Sequence, residues 1–92
     1  MQFEWDDNKN ELNIKKHGID FKDAKDIFHY PLLTMEDTKH NYGEQRWIAL
    51  GWIKSLLGVV IYIEHDEDII RIISARKATS KERIYYEQSI KN

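Results

Sequence analysis

The chain has 92 residues, 41 % hydrophobic and 33 % charged, with one proline and four glycines, a composition that fits one globular domain spanning 1–92. The absence of cysteine excludes disulfides, zinc–thiolate sites and cysteine nucleophiles, and the longest apolar run, Leu56 to Ile63, is far below the ~20 residues a bilayer span needs. The net charge of −2 conceals a gradient: residues 1–38 balance at −4, 39–70 at −2 and 71–92 at +4. The acidic start, Glu4 to Asp7, lacks the basic-then-apolar pattern of a signal peptide, so a cytoplasmic location is the expectation.

Phe3-Glu4-Trp5 alternates and suits a short first strand. Asp6 is placed to cap a helix that runs to His17 and ends at Gly18, with Lys15, Lys16 and His17 set against the negative end of its dipole. Asp20 caps a second helix, Phe21 to Phe28, with Asp23 at the capping-box position. Its apolar stripe is Phe21, Ala24, Ile27 and Phe28. Pro31 ends that segment. Leu32 to Met35 reads as a strand, 37–44 as a polar loop, and Arg46 to Ile53 as a strand. Trp47, Ala49, Gly51 and Ile53 fall on one face of it, and Arg46, Ile48, Leu50 and Trp52 on the other. Leu57 to Glu64, apolar on both faces, is the central strand.

After a hairpin loop at 65–68, Ile69 to Arg76 forms the last strand. Strict alternation puts Ile70, Ile72, Ser74 and Arg76 on one face and Arg71, Ile73 and Ala75 on the other. Thr79 and Glu82 form a capping box for a closing helix, Ser80 to about Ile90, with Ile84, Tyr85 and Gln88 inward and Lys81, Arg83 and Glu87 outward. The class is α+β: N-terminal helices packed on a small antiparallel sheet of three to four strands, with a C-terminal helix closing it.

Lys9, Asn13, Lys16 and His17 share one helix face and could wall an anion-binding cleft; equally, His17 could be only a helix cap. Arg76 ends an apolar strand face and needs an acceptor, either a phosphate or one of Glu44, Glu64 and Glu82. His17, His29, His40 and His65 show no metal-ligand spacing, so neither metal nor cofactor is expected. The aromatics Trp5, Trp47, Trp52, Tyr62, Tyr85 and Tyr86 fit a core better than a base-stacking platform.

Four stretches in register, Phe3-Glu4-Trp5-Asp6-Asp7, Lys16-His17-Gly18-Ile19-Asp20-Phe21, Arg46 to Gly51 and Arg71 to Arg83, closely resemble the BrnT toxins of type II toxin–antitoxin pairs. The resemblance spans residues 3–87 and implies a RelE-like fold and a ribonuclease that blocks translation. It also implies a BrnA-like antitoxin with a ribbon-helix-helix domain, in a two-plus-two heterotetramer that touches DNA only through the antitoxin. Lys16, His17, Arg46, Arg76 and Glu82-Arg83 stand inside matching motifs. Metal-free RNA cleavage needs a base, an acid and cations that stabilise a phosphorane. Arg46 and Arg76 are expected to supply the cations and His17 the proton transfer, while Lys16, Arg71, Lys77 and Arg83 hold flanking phosphates. If His17 is only a cap, Glu44 or a tyrosine takes its role. The rival expectation is a non-catalytic module that docks a partner helix or strand.

Overall fold

The structure is a computed structural model that describes residues 1–39 and 43–90. Its elements are β1 (Gln2–Glu4), α1 (Asp7–His17), α2 (Phe21–Ala24) continued by a 3-10 segment (Lys25–His29), β2 (Leu32–Asp37), β3 (Arg46–Ile53), β4 (Leu56–His65), β5 (Ile69–Lys77) and α3 (Ser80–Ile90). His40 and part of the expected 37–44 loop lie outside the described residues.

The sheet has five strands in the order β1-β5-β4-β3-β2, one or two more than expected. It is mixed rather than antiparallel, because Gln2, Phe3 and Glu4 pair parallel to Ile69, Ile70 and Arg71. A three-residue strand carries no mark of its partner, and this partner lies 67 residues along the chain. The other three pairings are antiparallel. β4 is central, and its run from Leu57 to Val60 is buried on both faces, as its unbroken apolar character demands.

Caps define the helices as their sequences indicate. Asp6 accepts from the Lys9 N–H at 3.0 Å, Gly18 takes the left-handed conformation at φ 73°, and Asp20 accepts from the Lys22 N–H. The second helix splits into one α turn and a 3-10 segment, and both press Phe21, Ala24 and Ile27 fully into the core. The sheet meets them with a row of small side chains, since Ala49 pairs with Val60 and Val60 with Ala75. Gly51 completes the close approach: a Cβ there would stand 3.1 Å from both Ile27 Cγ1 and Leu32 Cβ. Phe28 bridges Phe3 and Tyr62 by ring contacts at 5.6 and 5.0 Å.

An irregularity in β5 overturns the strict alternation. Ile61 faces Ser74, but the next residue, Tyr62, faces Ile72, so Ile73 is an extra residue. The bulge reverses the facing of everything after it. Ile70, Ile72 and Ala75 all join the helix-covered core, and Arg76 lies opposite Val59 on the other face. Arg76 therefore does not share a face with Ile70 and Ile72.

α3 packs differently from its expected stripe. Ile84 and Tyr85 are 55 % and 52 % exposed, and the buried residue is Tyr86, whose hydroxyl donates to the Pro31 carbonyl at 2.8 Å. Tyr86 also meets Trp52 edge-on, and Arg83 lies over the Trp52 ring at 5.6 Å rather than simply pointing outward. The apolar contrast around α3 is too weak to mark its inner face; a hydroxyl reaching one carbonyl sets the orientation instead.

Asn13 is not part of an open polar stripe. It is buried, and its amide donates to the Ile19 and Ala75 carbonyls at 2.9 Å while its oxygen accepts from the Ala75 N–H at 3.1 Å. β1 pairs with β5 only as far as Arg71, so Asn13 supplies the hydrogen bonds that a longer β1 would have given Ala75. Asn13→Leu keeps the volume and strands three backbone groups. The expected loss is at least about 2 kcal/mol in urea unfolding, since each buried unpaired group costs about 1–3 kcal/mol. A loss near zero would show that the tie is dispensable.

Candidate functional site

The helices α1 and α2 occupy one side of the sheet. The other is only partly covered, by α3, and the strand register orders its side chains into rows. Arg76, Val59, Leu50 and Leu33 form one row, and Ser74, Ile61, Ile48 and Met35 the next. Arg71 and Ile63 follow, with Arg46 and Asp37 beyond them on β3 and β2. Between these rows and α3 runs an apolar groove of about 260 Å³, lined by Leu33, Met35, Ile48, Leu50, Val59 and Ile61, with Arg76, Lys81, Glu82 and Tyr85 along its polar side.

Arg76 is the best-defined cation of this face. Its Nη1 and Nη2 donate to Glu82 Oε1 and Oε2, each at 2.8 Å, and Nη1 also donates to the Lys77 carbonyl at 3.2 Å. Of the three acceptors the sequence offers, Glu82 is the one used. Glu82 Oε1 also accepts from the Thr79 N–H at 2.8 Å, and Thr79 Oγ1 accepts from the Glu82 N–H, so the capping box is complete. The Arg76 guanidinium, aided by the Thr79 N–H, holds the Glu82 carboxyl down at about 2. Glu82 is thus an anion at neutral pH and cannot be the acid of a reaction. The pairing raises the Arg76 pKa in turn.

The remaining expected site residues fall into three groups. Arg71 and Arg46 are on the open face at its far end. Arg71 donates to Glu4 Oε2 at 2.9 Å, and His65 lies between that carboxylate and Glu44, at 3.5 and 3.3 Å. The position of β4 facing Arg71 is four residues on from that facing Arg76, about 13 Å along the strand. Lys77 and Arg83 flank the β5–α3 junction. Among the described residues neither they nor Lys81 make an ion pair, so positive charge gathers there. Lys16 and His17 lie on α1 beside the edge of β5, in a shallow depression with Lys9, Leu12, Ile73 and Ser74. Ser74 lines that depression and also sits two residues from Arg76 on the open face. No group of three or more His, Asp and Glu among the described residues could hold a metal ion.

Sequence reasoning missed Lys81 and Tyr85 as groove residues; it named Glu82 both as the capping-box partner and as one of three acceptors open to Arg76, without choosing among the three. The six-residue interval from Arg76 to Glu82 is a usable signal only once the strand is known to end at Lys77 and the helix to start at Ser80. Trp5, Trp47, Trp52, Tyr62 and Tyr86 pack in or against the two cores, whereas Tyr85 is open to solvent.

Fold and groove together define a small α+β domain with one sheet face sealed by helices and the other open and flanked by cations. The chain belongs to the BrnT family, described as the ribonuclease toxin of a type II toxin–antitoxin system, whose model matches residues 5–82. The 1.1 Å crystal structure of the Brucella abortus ribonuclease toxin BrnT is similar, with a TM-score of 0.66 and 28 % identity over 87 % of this chain and 99 % of that one. No curated protein matches significantly. The chain is therefore a toxin of the ribonuclease class, and no described helix is long and apolar enough to cross a membrane.

The Arg76–Glu82 pair makes stability depend on acid. Folding lowers the Glu82 carboxyl from 4.5 to about 2, so its contribution is whole above about pH 4.5 and disappears as pH falls toward 2. Glu82→Gln is expected to lower stability at pH 7 and to flatten the loss between pH 4.5 and 2 in urea titrations. An unchanged acid profile would deny the pairing.

Proposed function

We propose that this toxin cleaves RNA without a metal, on the open sheet face, by attack of the 2′-hydroxyl on the adjacent phosphorus. The base removes the 2′-hydroxyl proton, the 2′-oxygen–phosphorus bond forms, and the phosphorus–5′-oxygen bond breaks as the acid protonates the leaving oxygen. The products are a 2′,3′-cyclic phosphate and a 5′-hydroxyl. The observation that carries this reading is Arg76: an arginine clamped by a carboxylate at the side of a groove that the helices leave open. A guanidinium has five N–H donors, and Arg76 commits three of them, to Glu82 and the Lys77 carbonyl. The two that remain suit a phosphorane oxygen.

In this reading Arg46 and Arg71 meet the strand at the far end of the face, and Lys77 and Arg83 hold flanking phosphates near Arg76. His17 transfers the proton, with Lys16 beside it. Ser74 supports that placement, because it borders the His17 depression and lies about 7 Å along the strand from Arg76. Four of these cations, Arg71, Arg76, Lys77 and Arg83, belong to residues 71–92, whose balance is +4.

A type II toxin is held by an antitoxin. We assign that partner to the same face, as a BrnA-like ribbon-helix-helix protein in a two-plus-two assembly. It would present apolar side chains to Leu33, Ile48 and Leu50 and acidic ones to Arg46, Arg76, Lys77 and Arg83, and would bury more than about 1,000 Å². Cleavage would inhibit translation.

The test is purified chain incubated with RNA in EDTA. Cleavage is expected to persist and to fall about 100–1,000-fold in Arg76→Ala, the loss typical of one oxyanion donor. A folded, fully active Arg76→Ala would exclude Arg76 from catalysis. His17→Gln is expected to reduce cleavage strongly. Unchanged cleavage with a lowered melting temperature would leave His17 as a helix cap alone.

A further inference from the structure

We infer that Glu82 is a positioning residue for RNA cleavage, acting by fixing the guanidinium of Arg76. The inference rests on the reading above, that Arg76 meets the scissile phosphate. It is carried by the way Arg76 is held. Glu82 grips the end-on pair Nη1 and Nη2 with both carboxylate oxygens at 2.8 Å, and the Lys77 carbonyl takes a further Nη1 proton. Two planar groups joined by two parallel hydrogen bonds do not rotate against each other. The donors left over are on Nε and Nη2, which form the second fork of the guanidinium. That fork keeps one direction as long as Glu82 is in place. An unclamped arginine would have to give up rotamer entropy when it bound a phosphate.

Glu82 is itself fixed from the other side. Its Oε1 accepts the Thr79 N–H at 2.8 Å, and its own N–H donates to Thr79 Oγ1. The contact that holds the Glu82 carboxylate is thus the backbone N–H of residue 79, which any residue but proline supplies, whereas the Thr79 hydroxyl only caps the start of α3. An arginine near the end of a strand would otherwise be free to swing, and Arg76 remains 39 % exposed in its side chain. The opposite role, a carboxylate that competes with phosphate for Arg76, predicts the opposite sign when Glu82 is changed.

Two substitutions separate positioning from support. Glu82→Gln retains an amide oxygen for the Thr79 N–H, because glutamine serves in the capping box as glutamate does. It loses the charged two-point grip on Arg76. Thr79→Ala removes the cap hydroxyl and leaves the Arg76–Glu82 pair in place. Steady-state cleavage of an oligoribonucleotide by the purified full chain, in EDTA and well below the melting temperature of every variant, gives kcat and KM. For Glu82→Gln the expected result is a fall in kcat of about 100-fold, the scale of a small misplacement of a catalytic group, with KM within about twofold. Thr79→Ala should keep kcat and lose melting temperature. Three results would overturn the inference. Glu82→Gln could cut as fast as the parent. It could cut faster, as a competitor would require. Or kcat could follow melting temperature across both variants, as mere support would require. Arg76→Ala run alongside distinguishes the two levels: if it is fully active, the reading of Arg76 itself fails, whereas an inactive Arg76→Ala beside a fully active Glu82→Gln removes only the role given to Glu82.

Discussion

One extra residue in β5 decides what the open face can do. Without the bulge at Ile73, Arg76 would point into the core among Phe21, Ile27 and Ile72, where a guanidinium has no place. With it, Ala75 fills the tight row beside Val60, and Arg76 emerges over Val59 at the groove. Ala75, two residues after the bulge, is also where Asn13 ties β5 to α1. Core packing, the seat of the first helix and the aim of the arginine meet in one short stretch of β5.

The charges divide between those that hold the fold and those gathered at one junction. Asp6 and Asp20 are caps, Asp23 and Asp26 face Lys54, and Glu4 faces Arg71. These carboxylates are occupied in holding the fold. Lys77, Lys81 and Arg83, which make no ion pair among the described residues, stand around the β5–α3 junction. A field set by that junction is local, and the net charge of the chain says little about it.

Much of this was legible in the residues. The helix caps, the exact span of β3, the two faces of β3 and the doubly buried β4 follow from short-range rules that nothing in the fold overrides. The misses share a cause, which is that long-range contacts decide them. The pairing of β1 with β5 depends on a partner 67 residues away. The bulge depends on how Ile72 and Ala75 fit beneath the helices, and Ile-Ile-Ser-Ala alternates well enough to hide it. The inner face of α3 depends on Tyr86 finding the Pro31 carbonyl, although Ile84 and Tyr85 are the more apolar pair. For the site, the arginines could be read as needing acceptors. Which acceptor each takes is a matter of register.

Only Ala78 and Thr79 separate β5 from α3, and the interval from Arg76 to Glu82 spans that connection. The turn is therefore a length standard. A residue inserted in the β3–β4 hairpin at Lys54-Ser55 would lengthen an exposed turn at small cost. A residue inserted at 78–79 would carry Glu82 about 100° around its helix relative to Arg76 and part the pair while leaving every side chain present. Among relatives of this chain, length variation should accumulate at the first turn and be rejected at the second, however freely the residues at each are exchanged.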